Sequence, residues 1–153
     1  MAHFITTHGA DGKTVFSNKT ATKQNEFPIP LGSMTILYST HKFPESLNKE
    51  QDLEQYTRDR EAGFGPGVAC PPGGTCGSIL RLAPGLKSPM RKLATIGVFY
   101  VLEGEVTLHL DGGETKVFRT GDSGVLRGAM HSWQNTTKES ARLISFSQSI
   151  ADV

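Results

Sequence analysis

The chain has 153 residues, enough for one core, with 20% charged residues and a formal net charge of +1. That balance gives no electrostatic basis for binding nucleic acid or a membrane surface. The 17 glycines and 8 prolines favour turns and short strands over long helices.

No stretch approaches the ~20 apolar residues that span a bilayer. Met1 to Thr7 has no basic region followed by an apolar run, so no signal peptide is expected and the cytoplasm is the expected location. Cys70 and Cys76 flank Pro71-Pro72-Gly73-Gly74-Thr75. A reducing compartment argues against a stable disulfide there. With no histidine nearby, the pair is also a poor zinc site, and a plain loop with two thiols is expected.

The first part of the chain is irregular. A strand is expected at His3–Thr7. Gly9-Ala10-Asp11-Gly12 follows and leads into Thr14–Phe16, a hairpin signal. Ser33–Thr40 is rich in β-branched and aromatic residues and reads as a strand. Pro44–Ala62 is the one helical stretch, expected as a short exposed helix or a lid-like connection. Leu47, Leu53 and Tyr56 are its few apolar positions. Gly63–Gly77 is dense in glycine and proline and reads as a long loop.

From Ser78 onward the pattern is strand after strand. The expected strands are Ser78–Leu82, Ile96–Leu102, Val106–Leu110, Thr115–Phe118, Gly124–Leu126, His131–Asn135 and Arg142–Gln148. Turn sequences such as Pro84-Gly85, Asp111-Gly112-Gly113 and Thr120-Gly121-Asp122 separate them. Short strands at this regular spacing indicate an all-β barrel or sandwich.

Several pieces in order carry a resemblance: Val101-Leu102-Glu103-Gly104-Glu105-Val106, Asp111-Gly112-Gly113-Glu114, Gly121-Asp122 and His131-Ser132-Trp133-Gln134-Asn135. Together they resemble the cupin superfamily. Thr7 to Phe16, Pro84-Gly85, Ser88-Pro89-Met90 and Arg127 to His131 extend the similarity to a group of small single-domain cupins of bacteria and fungi. Members of that group often accompany genes for making or degrading small organic molecules. The resemblance implies one cupin domain over 1–153, a double-stranded β-helix (jelly-roll barrel). Residues 1–77 would form an irregular N-terminal extension with one short helix, and 78–153 the core motifs. It also implies a ligand in the barrel mouth and a homodimer, often with exchanged N-terminal strands.

The same resemblance locates the positions that hold a divalent metal in typical cupins. Here they carry Met90, Lys92 (or Arg91 in the closer group) and Gly97, and only His131 keeps a ligand. One imidazole does not hold a transition metal against water. Protonated Arg91 and Lys92 cannot ligate and would repel a divalent ion. No metal and no cofactor is therefore expected. His109 alternates against Leu108 and Leu110, so it faces solvent if they face the core. His3, His8 and His41 have no ligand spacing.

Strand parity puts His131, Trp133 and Asn135 on one face, with His131 as general acid or base and Trp133 as a flat wall. Arg91 or Lys92 would anchor an anion. Phe99, Val101 and Met90 complete the expected substrate-binding set, with Arg127 and Tyr38 at the rim. Tyr100 has the opposite parity and belongs to core or dimer interface. Loss of a carboxylate at Gly97 suggests a larger, more apolar cavity.

The expected function is a metal-independent enzyme on a small apolar, oxygenated molecule, by dehydration, isomerisation, cyclisation or decarboxylation. A metal-dependent dioxygenase with an unusual ligand set and a non-catalytic small-molecule binder are the alternatives.

Overall fold

A computed structural model describes residues 2–65 and 67–151. It contains β1 (Thr6–His8), β2 (Thr14–Phe16), β3 (Phe27–Ile29), β4 (Gly32–Thr40), α1 (Gln51–Ala62), β5 (Thr75–Leu82), β6 (Arg91–Lys92), β7 (Thr95–Glu103), β8 (Glu105–Leu110), β9 (Thr115–Arg119), β10 (Ser123–Arg127), β11 (Met130–Gln134) and β12 (Ala141–Ser149). A short 3-10 turn, Asn48–Glu50, leads into α1.

Two antiparallel sheets form the barrel. One has six strands in the order β10-β7-β12-β5-β4-β3, and the other has four, β6-β11-β8-β9. Leu82, Phe99, Val101, Val106, Leu108, Trp133 and Leu143 pack between them as the main core. Each such side chain contributes about 1.5–3 kcal/mol on burial. The alternation of these residues along their strands is what turns one face of each sheet inward. This is the cupin barrel, an all-β fold with one α-helix among the described residues.

The hairpin β1-β2 pairs Thr6 with Phe16 and His8 with Thr14, its first strand starting three residues and ending one residue later than the expected His3–Thr7. Three further expectations need correction. The strand expected from Ser78 begins at Thr75, because β4 and β12 both offer backbone partners there: Thr75 pairs with Thr40 and with Gln148. The Gly63–Gly77 loop is shorter by the same residues.

β3 was not anticipated. It carries Pro28 at the sheet edge, where a missing N–H costs least. α1 is not an exposed helix or a free connection. Leu53 and Tyr56 are buried, and the Tyr56 hydroxyl donates to the Ile36 carbonyl at 3.3 Å. The Asp59 carboxylate accepts from Ser39 Oγ at 2.6 Å and His41 Nε2 at 2.9 Å. Arg60 donates to the Ala21 and Lys23 carbonyls, stapling the preceding segment to the helix. Gly63 ends α1 at φ 69°, a conformation that glycine adopts without a side-chain penalty.

Candidate active site

One cavity of about 500 Å³ opens between the two sheets. Its size falls in the range of small-molecule sites. The lining is mostly apolar, with Phe27, Leu31, Phe64, Phe99, Leu126 and Trp133 among its walls. Gly63–Gly65 and Gly67–Ala69 also line it, so the segment after α1 forms part of its wall.

β11 sits between β6 and β8, with His131 opposite Arg91 on one side and Leu110 on the other. The segment before β6 is tied to β11 by Ser88. Its N–H donates to the Trp133 carbonyl at 2.8 Å, its Oγ accepts from Trp133 N–H at 2.9 Å, and its carbonyl accepts from Ser132 Oγ at 2.7 Å. This clamp fixes where Arg91 leaves the backbone.

His131 is buried and lines the cavity. Its Nδ1–H donates to the Ala129 carbonyl at 2.9 Å. In the neutral ring this leaves Nε2 with the lone pair, and no hydrogen bond reaches Nε2 among the described residues. Trp133 stands edge-on to His131 at 6.1 Å between centroids and edge-on to Phe99 at 4.9 Å. These contacts hold the imidazole and the indole in defined orientations.

Arg91 lines the cavity from its solvent-exposed side. Among the described residues it has no ion-pair partner, and no carboxylate lines the cavity. A side chain on Gly67 would sit 2.8 Å from the Arg91 guanidinium, which shows how closely the segment after α1 approaches it. The site therefore offers one proton-transfer group and one unpaired cation within apolar walls.

Phe99 lines the cavity as expected. Other expected residues lie elsewhere. Lys92 is exposed and lies outside the cavity lining, because adjacent residues of a strand point to opposite faces. Met90 is also exposed and outside the lining. Val101 is fully buried in the core beyond the cavity.

Asn135 lies past the end of β11 and is fully buried. It bonds to the Leu82 and Glu139 carbonyls and to Thr137, so it locks a turn and does not face ligand. Arg127 is exposed, with parity opposite to the lining residue Leu126. Tyr38 packs on Tyr56 and donates to the Asp52 carboxylate. The register shift between Ile36 and Tyr38 turns it toward α1.

Sequence reasoning missed Ser78, Ser145 and Ser147 on the six-stranded wall. Ser145 and Ser147 follow Leu143 at alternate positions, so strand parity carried the signal. Ser78 Oγ and Ser145 Oγ lie 3.1 Å apart. A side chain on Gly97 would meet Ser147 Oγ at 2.8 Å. The position that carries a carboxylate in typical cupins is thus closed by a neighbour's hydroxyl.

The donor set does not fit the family's metal. Beside the imidazole of His131, its ligand positions hold a thioether, cations and a glycine. Among the described residues no group of three or more His, Cys, Asp or Glu side chains is placed to hold an ion. His109 pairs with Gln134, 2.9 Å from Nε2 to the side-chain oxygen, away from the cavity.

The two-sheet barrel and its cavity are those of a cupin, and residues 78–147 match the cupin domain family Cupin_2. The chain belongs to the cupin family. It is 36% identical over 139 residues to the "Cupin-domain-containing oxidoreductase srdB" of Neurospora crassa, covering 89% of this chain and 66% of that protein. It is 32% identical over 136 residues to "Oryzines biosynthesis cluster protein J" of Aspergillus oryzae, covering 88% and 74%. It is 33% identical over 137 residues to the "Cupin-domain-containing oxidoreductase virC" of Hypocrea virens, covering 87% and 66%. The chain thus spans 66% of the length of the Neurospora crassa and the Hypocrea virens relative alike. Among the described residues no helix is long and apolar enough to cross a membrane.

Proposed function

We propose that this cupin is an enzyme of secondary-metabolite biosynthesis that moves a proton on a small, largely apolar molecule bearing an anionic oxygen. One observation carries the reading: His131, with Nε2 unbonded among the described residues, shares an apolar cavity with Arg91, a cation without an ion-pair partner among them. Arg91 holds a carboxylate, phenolate or enolate by charge-assisted hydrogen bonds. Nε2 of His131 takes a proton from the carbon or hydroxyl beside it and returns it at a second position. Low-dielectric walls strengthen the ion contact. Dehydration, isomerisation, cyclisation and decarboxylation all use this pair of groups. Biosynthesis as the setting is supported by the oryzine-cluster relative.

The test is hydrogen–deuterium exchange of enolisable aryl ketones and β-keto acids in heavy water, with a chelator present, followed by NMR. The wild-type chain is expected to catalyse exchange, and His131→Gln to lose it by ~10²-fold or more. Exchange that is equal in His131→Gln, or that disappears with the chelator alone, overturns the reading.

The oxidoreductase names of two relatives favour a second reading, a net oxidation with dioxygen as the co-reactant. Oxygen uptake in step with product would replace the acid–base reading with this one.

A further inference from the structure

The inward face of β12 runs Leu143, Ser145, Ser147, and Ser145 pairs across the ladder with Ser78 of β5. The face of an antiparallel strand that turns to a core is ordinarily apolar. Leu143 conforms and packs in the core. The next two inward positions carry hydroxyls instead, and with Ser78 they line the cavity. Ser78 is only 4% exposed.

Small size does not account for three serines here. Alanine leaves the same space with no polar group to desolvate, and a hydroxyl without a hydrogen bond among apolar walls costs free energy. Ser78 Oγ and Ser145 Oγ lie 3.1 Å apart. One hydroxyl hydrogen serves that pair, so when Ser78 donates, the Ser145 O–H is free. Ser147 Oγ makes no hydrogen bond among the described residues. Ser147 pairs with Gly97, where a side chain would come within 2.8 Å of its hydroxyl. Glycine at 97 therefore keeps that hydroxyl open to the cavity.

Two free O–H donors thus stand on one strand face. Alternate residues of a strand are about 6.6 Å apart, so one oxygen atom seated between them is within reach of both. A carbonyl oxygen has the two lone pairs to accept from each. β12 belongs to the six-stranded sheet and β6 and β11 to the four-stranded one, so the hydroxyls look at Arg91 and His131 from the other wall. Facing sheets stand about 10 Å apart, which suits a single aromatic ring substituted at both ends. Phe99 pairs with Ser145 and stands edge-on to Trp133, giving that ring apolar neighbours.

We propose that Ser145 and Ser147, with Ser78 behind them, form a second polar subsite that selects for a neutral carbonyl oxygen, an inference that rests on the anion-binding reading of Arg91. The substrate class is then an aryl compound with an anionic oxygen at one end and a ketone or aldehyde oxygen at the other. The serines set specificity, and the proton transfer stays with His131.

Isothermal titration calorimetry with 4-acetylbenzoate and 4-ethylbenzoate tests this, since the two probes differ only in a carbonyl against a methylene. The wild-type chain is expected to bind the acetyl compound roughly tenfold more tightly. Ser145→Ala with Ser147→Ala removes one oxygen atom at each position and is expected to bring the ratio of the two Kd values close to one. His131→Gln is expected to keep the wild-type ratio. A wild-type ratio near one, a ratio that survives the double alanine variant, or no binding of either probe overturns the subsite. The ratio does not depend on proton transfer. A selective wild type whose hydrogen exchange is indifferent to His131→Gln therefore refutes the catalytic reading alone, and a ratio near one beside His131-dependent exchange refutes the subsite alone.

Discussion

His131 and Arg91 occupy directly opposed positions of β11 and β6, and both line the same cavity. A two-residue strand thus places a permanent cation beside the site's imidazole. The ladder fixes their relation through the backbone, so a substitution at either leaves the other in place.

Replacing Arg91 with Gln is expected to raise KM for an anionic substrate by roughly tenfold, with a smaller change in kcat. A hydrogen bond to a charged group is worth about 1.5–3 kcal/mol, and the solvent-exposed side of Arg91 lowers that. The wild-type KM should rise with salt while that of Arg91→Gln stays flat, as steady-state kinetics at two ionic strengths will show.

His131→Gln is expected to cut turnover by ~10²-fold or more while KM changes little, because Arg91 still holds the anion. The measurement is kcat and KM on the same substrate. Equal loss in both parameters would assign His131 to binding.

Gly97→Asp, which restores a carboxylate at the family's ligand position, is expected to destabilise the chain by about 1–3 kcal/mol through overpacking against Ser147. Ser147→Gly in the same chain should recover most of that loss. Urea midpoints of the single and double variants check this.

Acid stability should depend on His3. Burial pushes its pKa below the ordinary value of 6.5, with Arg60 adding to the effect. The folded chain then resists protonation that the unfolded chain accepts. Stability from this group is present above pH 6.5 and is lost as the pH falls from there through the lowered folded value. His3→Gln should show a shallower drop of melting temperature over that window than the wild-type chain.

The Cys76 thiol is buried, and burial pushes its pKa up to about 12. Thiolate is the reactive form, so Cys76 should resist iodoacetamide in the native state and label promptly in denaturant. Mass spectrometry after pulsed labelling reads the difference.

The second half of the barrel was legible because its strands alternate around short turns, a pattern the backbone imposes directly. β3 was hidden by its own proline, Pro28, a residue that punctuates a sequence but is tolerated on an edge strand. In the site, parity located His131, Trp133 and Phe99. It failed at Asn135, where the strand had already ended, and at Tyr38, where a register shift turned the chain. Lys92 could not be separated from Arg91 by residue type, and only the pairing of β6 with β11 shows which of the two lines the cavity. The lining segment after α1 left no periodic signal, since its residues pack by chain path and not by strand register.

Trp133 is the chain's single tryptophan, and it stands in the cavity wall against His131 and Phe99. The protein therefore carries its own optical reporter. Emission excited at the indole comes from the site alone, and its intensity and colour will register a ligand's arrival without a label, a cofactor or any chemical turnover.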